Sequence, residues 1–373
     1  MKYSFILPCR NEEKAIGICI TKIKEIMKRL CVNERDYEII VSDSSSDSSP
    51  QIAVSLGARL VKHNKVGYGN AYLEAFKVAS GEILILGDAD DSYDFSDVLK
   101  LLNASEDYDL VLGKRTFFHK NSMPWINKHL GIPFLSGILR LFFRTNIQDT
   151  HTGFRVIKKS VLEKLNLRTT GMEFASEMII KALKNNFRIK EVPIHYYARK
   201  GETKLRRIPD GWRHLRFMLL YSPAFLFFIP GLVLFLIGVI TMLLLYFGVF
   251  SILGVKLYYH PMFLSSFLTI AGYQLIIFHI FAKTYAITHL EEKSKIMKKL
   301  YSWITLEKTS IFGIIILLFG LFIYGKIFVG WILSGFGSLN EIKNSIVALT
   351  LVLMGIQTIS SAFMLSILGI KEK

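Results

Sequence analysis

The sequence predicts an α/β domain built on a mostly parallel, Rossmann-like sheet, followed by an all-α transmembrane domain of four helices. Three observations carry this expectation. Short apolar runs alternate with segments of helical periodicity as far as Leu112. Several of those runs end on a carboxylate. Beyond Arg216 the chain holds long stretches without a single charged residue.

The elements follow in order. Tyr3 to Leu7 is a short apolar strand. Ile16, Ile20, Ile23, Met27 and Leu30 recur at helical steps after it. Tyr37 to Ser42 is a second strand that ends at Asp43, and a short helix is expected after Asp47. A strand near Arg59 to Lys62, a helix over Tyr68 to Ala79, and an apolar strand from Glu82 to Leu86 ending at Asp88 come next. Asp109 to Leu112 is a further strand. Such a βαβα order implies helices on both faces of a parallel sheet, with ligands bound at the carboxyl ends of the strands. Pro8, Asp43 and Asp88 all fall at those ends.

Two basic amphipathic segments follow. Ile132, Leu135, Leu139 and Phe142 form an apolar stripe within 128–144, which also carries Lys128, Arg140 and Arg144. Leu205, Ile208, Trp212, Leu215 and Leu219 form another within 205–221, with Arg206, Arg213 and Arg216 off the stripe. Helices of this kind lie in a lipid headgroup layer, or pack on a sheet as ordinary surface helices. The first domain is expected to span 1–222 and the membrane part 223–373, with spans near 225–249, 261–282, 310–333 and 345–370. A bilayer core needs roughly 20 apolar residues per helix. The third stretch reaches that length when Lys326 snorkels.

The net charge is +16. Because the basic residues flank apolar helices, the excess points to anionic lipid and phosphate ligands rather than to nucleic acid. Cys9, Cys19 and Cys31 show neither CxxC spacing nor a zinc pattern, as expected in a reducing compartment. The apolar run at the start is too short for a signal peptide, so the first domain is expected in the cytosol.

Gly87-Asp88-Ala89-Asp90-Asp91 is the sharpest chemical signal. Two carboxylates one residue apart on a turn can grip Mg²⁺ or Mn²⁺, whose shell is completed by phosphate and water. The bland alternative is a solvated turn in which Asp94 caps the next helix. Pro8-Cys9-Arg10-Asn11-Glu12-Glu13 can hold a nucleotide, or serve as a helix start capped by Asn11. Val41-Ser42-Asp43-Ser44-Ser45-Ser46-Asp47 is a second candidate loop, or simply a Ser-rich one. Gly67-Tyr68-Gly69-Asn70 is weak as a phosphate loop and lacks the Walker lysine pattern. Arg115, Arg199, Lys200 and Lys204 suit phosphate, or form a basic collar on anionic lipid. The histidines, His151 and His195 among them, form no metal motif, and no GxSxG elbow is present.

Together these motifs make residues 1–205 resemble family 2 glycosyltransferases of the GT-A fold. The resemblance rests on Ile6-Leu7-Pro8-Cys9-Arg10-Asn11-Glu12-Glu13, on the Asp43 loop, on Gly87-Asp88-Ala89-Asp90, and on Asp149-Thr150-His151-Thr152-Gly153-Phe154-Arg155. Gly113-Lys114-Arg115, Arg199-Lys200-Gly201-Glu202-Thr203-Lys204 and the attached spans narrow it to the polyprenyl-phosphate glycosyltransferases, such as dolichyl-phosphate mannose synthases and undecaprenyl-phosphate glucosyltransferases. The resemblance implies that Pro8, Arg10, Glu12 and Asp43 line the nucleotide pocket, that Asp88 and Asp90 serve metal and diphosphate, and that Arg199 and Lys204 close on the diphosphate. It implies that Arg115 and Lys128 hold the lipid phosphate, with Asp90, Arg115 and Arg199 as the catalytic set; it assigns no role to Asp149 or Arg155. Two positions after Asp90 the family often has Gln or His as a further ligand, whereas this chain has Ser92. The Gln-x-x-Arg-Trp signature of polymerising synthases is absent, which disfavours processive synthesis.

The implied reaction is an inverting transfer of mannose or glucose from a GDP- or UDP-sugar to dolichyl or undecaprenyl phosphate. The acceptor phosphate is already ionised, so no dedicated base is needed, but the site must supply positive charge. A silent scaffold with a glycosyltransferase-like domain, or transfer to another lipid, is the alternative; a transporter is disfavoured because the spans lack midplane charges. A homo-oligomer is compatible with the sequence. The cluster Lys293, Lys295, Lys298 and Lys299 places both termini and the catalytic domain in the cytosol by the positive-inside rule.

Overall fold

The computed structural model describes residues 1–201, 207–248, 250–252, 255–289 and 305–369. The chain divides into two compact units, Met1–Tyr221 and Ser222–Lys373.

The first unit is a seven-stranded sheet sandwiched by helices. Its strands are β1 (Tyr3–Cys9), β2 (Tyr37–Asp43), β3 (Arg59–Lys62), β4 (Ile83–Leu86), β5 (Leu110–Phe118), β6 (Arg155–Lys158) and β7 (Ile189–Tyr196). They lie in the order β3-β2-β1-β4-β6-β5-β7. Only β6 runs against its neighbours; β1 pairs parallel with β2 and β4, and β5 with β7. The carboxyl ends of β1, β2 and β4 therefore share one edge, which brings together loops far apart in sequence.

Strand alternation sends side chains to two cores. Phe5 and Leu7 of β1 point to a core completed by Ile16, Ile20, Ile23 and Met27 of α1 (Ile16–Arg29), by α2 (Ser49–Ser55) and by α4 (Val98–Ser105). Ile6 points to the other, which packs α3 (Tyr68–Phe76), α5 (Ile132–Phe143), α6 (Lys159–Leu165), α7 (Phe174–Lys184) and α8 (Arg207–Tyr221). The three cysteines are free.

Both amphipathic segments pack on the second core, one of the two arrangements the sequence leaves open. In α5 the stripe of Leu135, Leu139 and Phe142 packs inward on the second core, while Phe134 and Leu141 remain exposed on the opposite side. In α8 the buried face is His214, Phe217 and Met218, and Trp212 and Leu220 are exposed. Trp125, Ile126 and Leu130, just before α5, extend this exposed apolar surface. Both helices thus have one apolar face for the core and a second that meets solvent or lipid.

Among its described residues, the second unit contains four helices long and apolar enough to cross a membrane, over Ala224–Phe247, His260–Thr288, Leu306–Leu333 and Ile342–Gly369. The regular helices within them are α9 (Ile229–Phe247), α10 (His260–His289), α11 (Leu306–Leu333) and α12 (Ile342–Gly369). A two-stranded hairpin of β8 (Phe250–Ile252) and β9 (Val255–Leu257) joins α9 to α10. Backbones approach closely at glycine: a Cβ on Gly272 of α10 would fall 2.3 Å from the Phe235 nitrogen of α9. Hydroxyl pairs join α10 to α12, Ser266 to Thr350 at 2.7 Å and Tyr273 to Thr358 at 2.6 Å. Lys343, at the start of α12, donates its Nζ to the carbonyl oxygens of Leu245 at 2.6 Å and Tyr246 at 3.3 Å, in the last turn of α9.

Candidate active site

Two loops at the carboxyl edge lock together. After β1, Asn11 takes a left-handed conformation (φ 54°) and its Oδ1 accepts the Ser46 amide at 2.8 Å. The Asn11 amide donates to Ser45 Oγ at 2.8 Å and the Glu12 amide to Ser49 Oγ at 2.9 Å. Asn11 is therefore a bridge to the β2 loop and not the helix cap; Ala15 occupies the cap position of α1. The buried Asp43 carboxylate closes a turn on Ser45, accepting its hydroxyl at 2.5 Å and its amide at 3.2 Å. Pro8 is half-buried and Arg10 exposed at the end of β1.

The Asp88 to Asp91 turn leaves β4 beside these loops. Asp90 is buried, and its Oδ1 accepts the Ser92 amide at 3.0 Å and hydroxyl at 2.5 Å. Ser92 is thus used in holding Asp90. Asp90 Oδ2 lies 3.2 Å from Arg199 Nη2, which also reaches Glu12 Oε1 at 3.3 Å. Asp91, the third carboxylate of the run, has φ 59° and is paired with Lys22 of α1 at 2.6 Å and Lys200 at 2.8 Å. It anchors the Arg199-Lys200 segment, as does the Lys200 amide bonded to the Asp90 carbonyl at 2.9 Å. Lys204 lies outside the described residues.

Asp88 has a different setting. Tyr68 donates its hydroxyl to Asp88 Oδ1 at 3.1 Å. On the other side is Gly153, where a Cβ would fall 2.6 Å from Asp88 Oδ2. Burial first, and then the charge of Asp90, push the Asp88 carboxyl up to about 7, against smaller opposing pulls from Tyr68, Arg199 and Arg115. Two neighbouring carboxylates, one paired among the described residues only with a phenol and cradled against a glycine, fit a divalent cation. Among the described residues no cluster of three His, Cys, Asp or Glu side chains forms a metal cage, so phosphate and water would complete the shell.

The cationic wall is built by a motif whose role the sequence left open. Asp149 accepts three hydrogen bonds from Arg115, from its backbone nitrogen at 3.1 Å, Nε at 2.7 Å and Nη2 at 2.7 Å. Burial alone would push the Asp149 carboxyl up, but the charge and hydrogen bonds of Arg115 outweigh it and hold it below the usual range. Glu191 of β7 accepts the Asp149 amide at 2.7 Å and so fixes the acid from behind. Arg155 is structural: its guanidinium donates to the carbonyl oxygens of Thr150, Thr152 and Ala175 and ties the 149–153 turn to α7. The turn also carries a buried polar chain, Ser136 to Thr150 at 3.1 Å and Thr150 to His151 at 2.8 Å. His151 packs edge-on against His214 of α8, which bonds Ser176 at 2.8 Å. Lys128 stands 4.3 Å from the Phe118 ring; that ring meets Tyr196, over which Arg115 lies at 5.3 Å. Aromatic rings thus connect the two cations assigned to one anion.

Asp88, Asp90 and Arg115, expected from the sequence, are partnered here by Tyr68, Ser92 and Asp149, with Glu191 behind Asp149, none of which sequence reasoning named in that role. Ser92 lies two residues from Asp90; the others are brought in only by the fold.

The model of glycosyl transferase family 2 matches residues 4–166, and that of the glycosyltransferase family 2 C-terminal transmembrane region matches residues 280–369. The low-salt glycan biosynthesis hexosyltransferase Agl6 of Haloferax volcanii is 37% identical over 370 residues, 98% of this chain and 89% of that protein. A dolichyl-phosphate hexose transferase of the same organism is 32% identical over 203 residues, 54% of this chain and 85% of that one. Among solved structures, glucosyl-3-phosphoglycerate synthase from Mycobacterium tuberculosis in complex with Mn²⁺, UDP and glucosyl-3-phosphoglycerate is similar over 59% of this chain and 80% of its own, with 19% identity and a TM-score of 0.47. With identity of 37% along almost its whole length and both family matches in register with its two units, the chain belongs to glycosyltransferase family 2 and is an integral membrane enzyme carrying that family's C-terminal transmembrane region.

Proposed function

We propose that this glycosyltransferase moves a hexose, with inversion, from a nucleotide-diphosphate sugar to a polyprenyl phosphate at the cytosolic face of a membrane. The observation that carries the reading is the pairing of a carboxylate couple, Asp88 and Asp90, with two arginines that both act on Asp88 electrostatically, Arg199 and the Asp149-bound Arg115. Such a site suits two anionic reactants, the donor diphosphate and the acceptor phosphate. The relatives support the chemistry by name, one as a hexosyltransferase and one as a dolichyl-phosphate hexose transferase.

Each residue then has a task. Pro8, Arg10, Glu12 and Asp43 border the nucleotide. Asp88 and Asp90 would hold Mg²⁺ or Mn²⁺, which when bound neutralises the leaving diphosphate. Arg199 exchanges its contacts with Glu12 and Asp90 for donor phosphate oxygens, and Lys204 adds charge on that side. Arg115 orients the acceptor phosphate, with Lys128 as a second cation. Because Asp149 already fixes the Arg115 guanidinium, that group does not have to be ordered during the reaction. The exposed Trp125, Phe134, Leu141, Trp212 and Leu220 supply an apolar surface that would seat the domain at headgroup depth.

The test is incubation of the purified full-length protein with UDP- and GDP-hexoses, dolichyl or undecaprenyl phosphate, and Mg²⁺ or Mn²⁺. Labelled polyprenyl-phosphate hexose should form, stop with EDTA, and be lost in Asp90→Asn. Full activity of that variant would remove the metal assignment, and absence of lipid-linked product with every donor would remove the acceptor. Orientation is tested with single cysteines at Ser251, Ser338 and Ser294, the last outside the described residues, in a cysteine-free background. An impermeant thiol reagent on intact cells should label the first two; labelling of Ser294 would invert the topology.

A further inference from the structure

The Gly67-Tyr68-Gly69-Asn70 turn belongs to none of the tasks above. Its glycines answer to packing: a Cβ on Gly67 would fall 2.2 Å from the Thr170 carbonyl oxygen, and one on Gly69 2.2 Å from that of Thr169. Its amides are already engaged, Gly69 with the Gly171 carbonyl at 3.2 Å and Asn70 with that of Thr170 at 3.1 Å. The turn is thus packed against the 169–171 backbone. What it does is seat one side chain. The Tyr68 ring stands edge-on to Tyr72 at 5.0 Å and to Phe174 at 6.3 Å, and those two rings are themselves stacked 5.2 Å apart. Held this way, the Tyr68 hydroxyl reaches Asp88 Oδ1 at 3.1 Å, while Gly153 walls the far side of the carboxylate.

We propose that Tyr68 is a positioning residue for Asp88, fixing the rotation of its carboxylate so that the free lone pairs face a divalent cation. The inference rests on the metal reading of Asp88 and Asp90. A carboxylate turns freely about its last bond, with broad minima. Beside a second carboxylate it would turn away from the shared charge. A hydrogen-bond donor on one oxygen removes that freedom, and a phenol does so without bringing a positive charge to compete with the cation. Partners of this kind, one shell out from a metal, are worth about 10–100-fold in metal affinity.

Mn²⁺ titration of the full-length protein in detergent, followed by electron paramagnetic resonance with UDP or GDP present, reads this directly. Tyr68→Phe keeps the ring and its stack and loses only the hydroxyl. It should bind Mn²⁺ about 10–100-fold more weakly while melting close to wild type. Tyr72→Phe removes a hydroxyl 3.5 Å from that of Tyr68, within the same stack, and should bind Mn²⁺ like wild type. Unchanged Mn²⁺ affinity in Tyr68→Phe, or an equal loss in both variants, would overturn the proposal. Asp88→Asn separates the two levels. If it weakens Mn²⁺ and Tyr68→Phe does not, only the role of Tyr68 fails; if it too binds like wild type, the metal reading fails and this inference with it.

Discussion

Asp149→Asn is the sharpest probe of how the cationic wall is built. The change is isosteric and removes one negative charge. In the native protein that charge receives three hydrogen bonds from Arg115, and the two side chains are only 8% and 5% exposed. With an amide there, a guanidinium remains buried opposite a group that carries its own N–H donors. Removing one partner of a buried pair costs about 3–5 kcal/mol. For a unit of this size each kcal/mol moves the melting point by ~2–4 °C, so a fall of ~6–20 °C is expected. Thermal unfolding of the full-length protein in detergent measures it. A double-mutant cycle with Arg115→Met isolates the pair, since the doubly substituted protein no longer buries a lone charge. The expected coupling is about 3 kcal/mol. Additive single effects, or an Asp149→Asn variant that melts with wild type, would refute the pair as the anchor of Arg115. Loss of transfer at unchanged stability would instead assign Asp149 to the substrate.

Gly153→Ala should abolish transfer with the fold retained, because the new methyl group lies 2.6 Å from Asp88 Oδ2 and must displace it; wild-type turnover would show that Asp88 has room to move. His214 gives a pH dependence of known sign. Burial first, then the charge of Arg155, lowers its pKa from 6.5 to about 4. The unfolded chain takes up a proton near pH 6.5 that the folded protein refuses. Stability is therefore complete above that value and declines as the pH falls toward 4, by roughly 3 kcal/mol for this group. Melting scans between pH 4 and 7 should be flatter in His214→Gln; parallel curves would exclude His214 as the source.

β1, β2 and β4 were legible because each holds a compact apolar run that ends on a polar turn, and β3 from its place in the βαβα order. Their carboxyl-edge location followed from parallel order alone. β6 was not, since it runs against both β4 and β5 and so falls outside the βαβα alternation that located the others. β7 was obscured by Lys190, Glu191 and Pro193, all tolerated because it is an edge strand. The acidic run illustrates the limit at the site. Sequence places three carboxylates together, but only the fold separates Asp91, spent on Lys22 and Lys200, from Asp88 and Asp90. Likewise Asp149 lies 34 residues from Arg115, and nothing local marks them as a pair. The amphipathic stripe of α5 is legible as periodic, but whether it meets the sheet or lipid is not, because the helix also carries the exposed apolar Phe134 and Leu141.

The lysine at the head of α12 bears on how the chain is threaded through a bilayer. Topogenic sorting counts cations that are free to resist translocation. Lys343 is committed to the carbonyl oxygens of Leu245 and Tyr246, the electronegative end of α9. Its charge is matched by a helix terminus and not by lipid phosphate. Spent in this way, it is a poor marker of sidedness and instead ties the end of α9 to the start of α12.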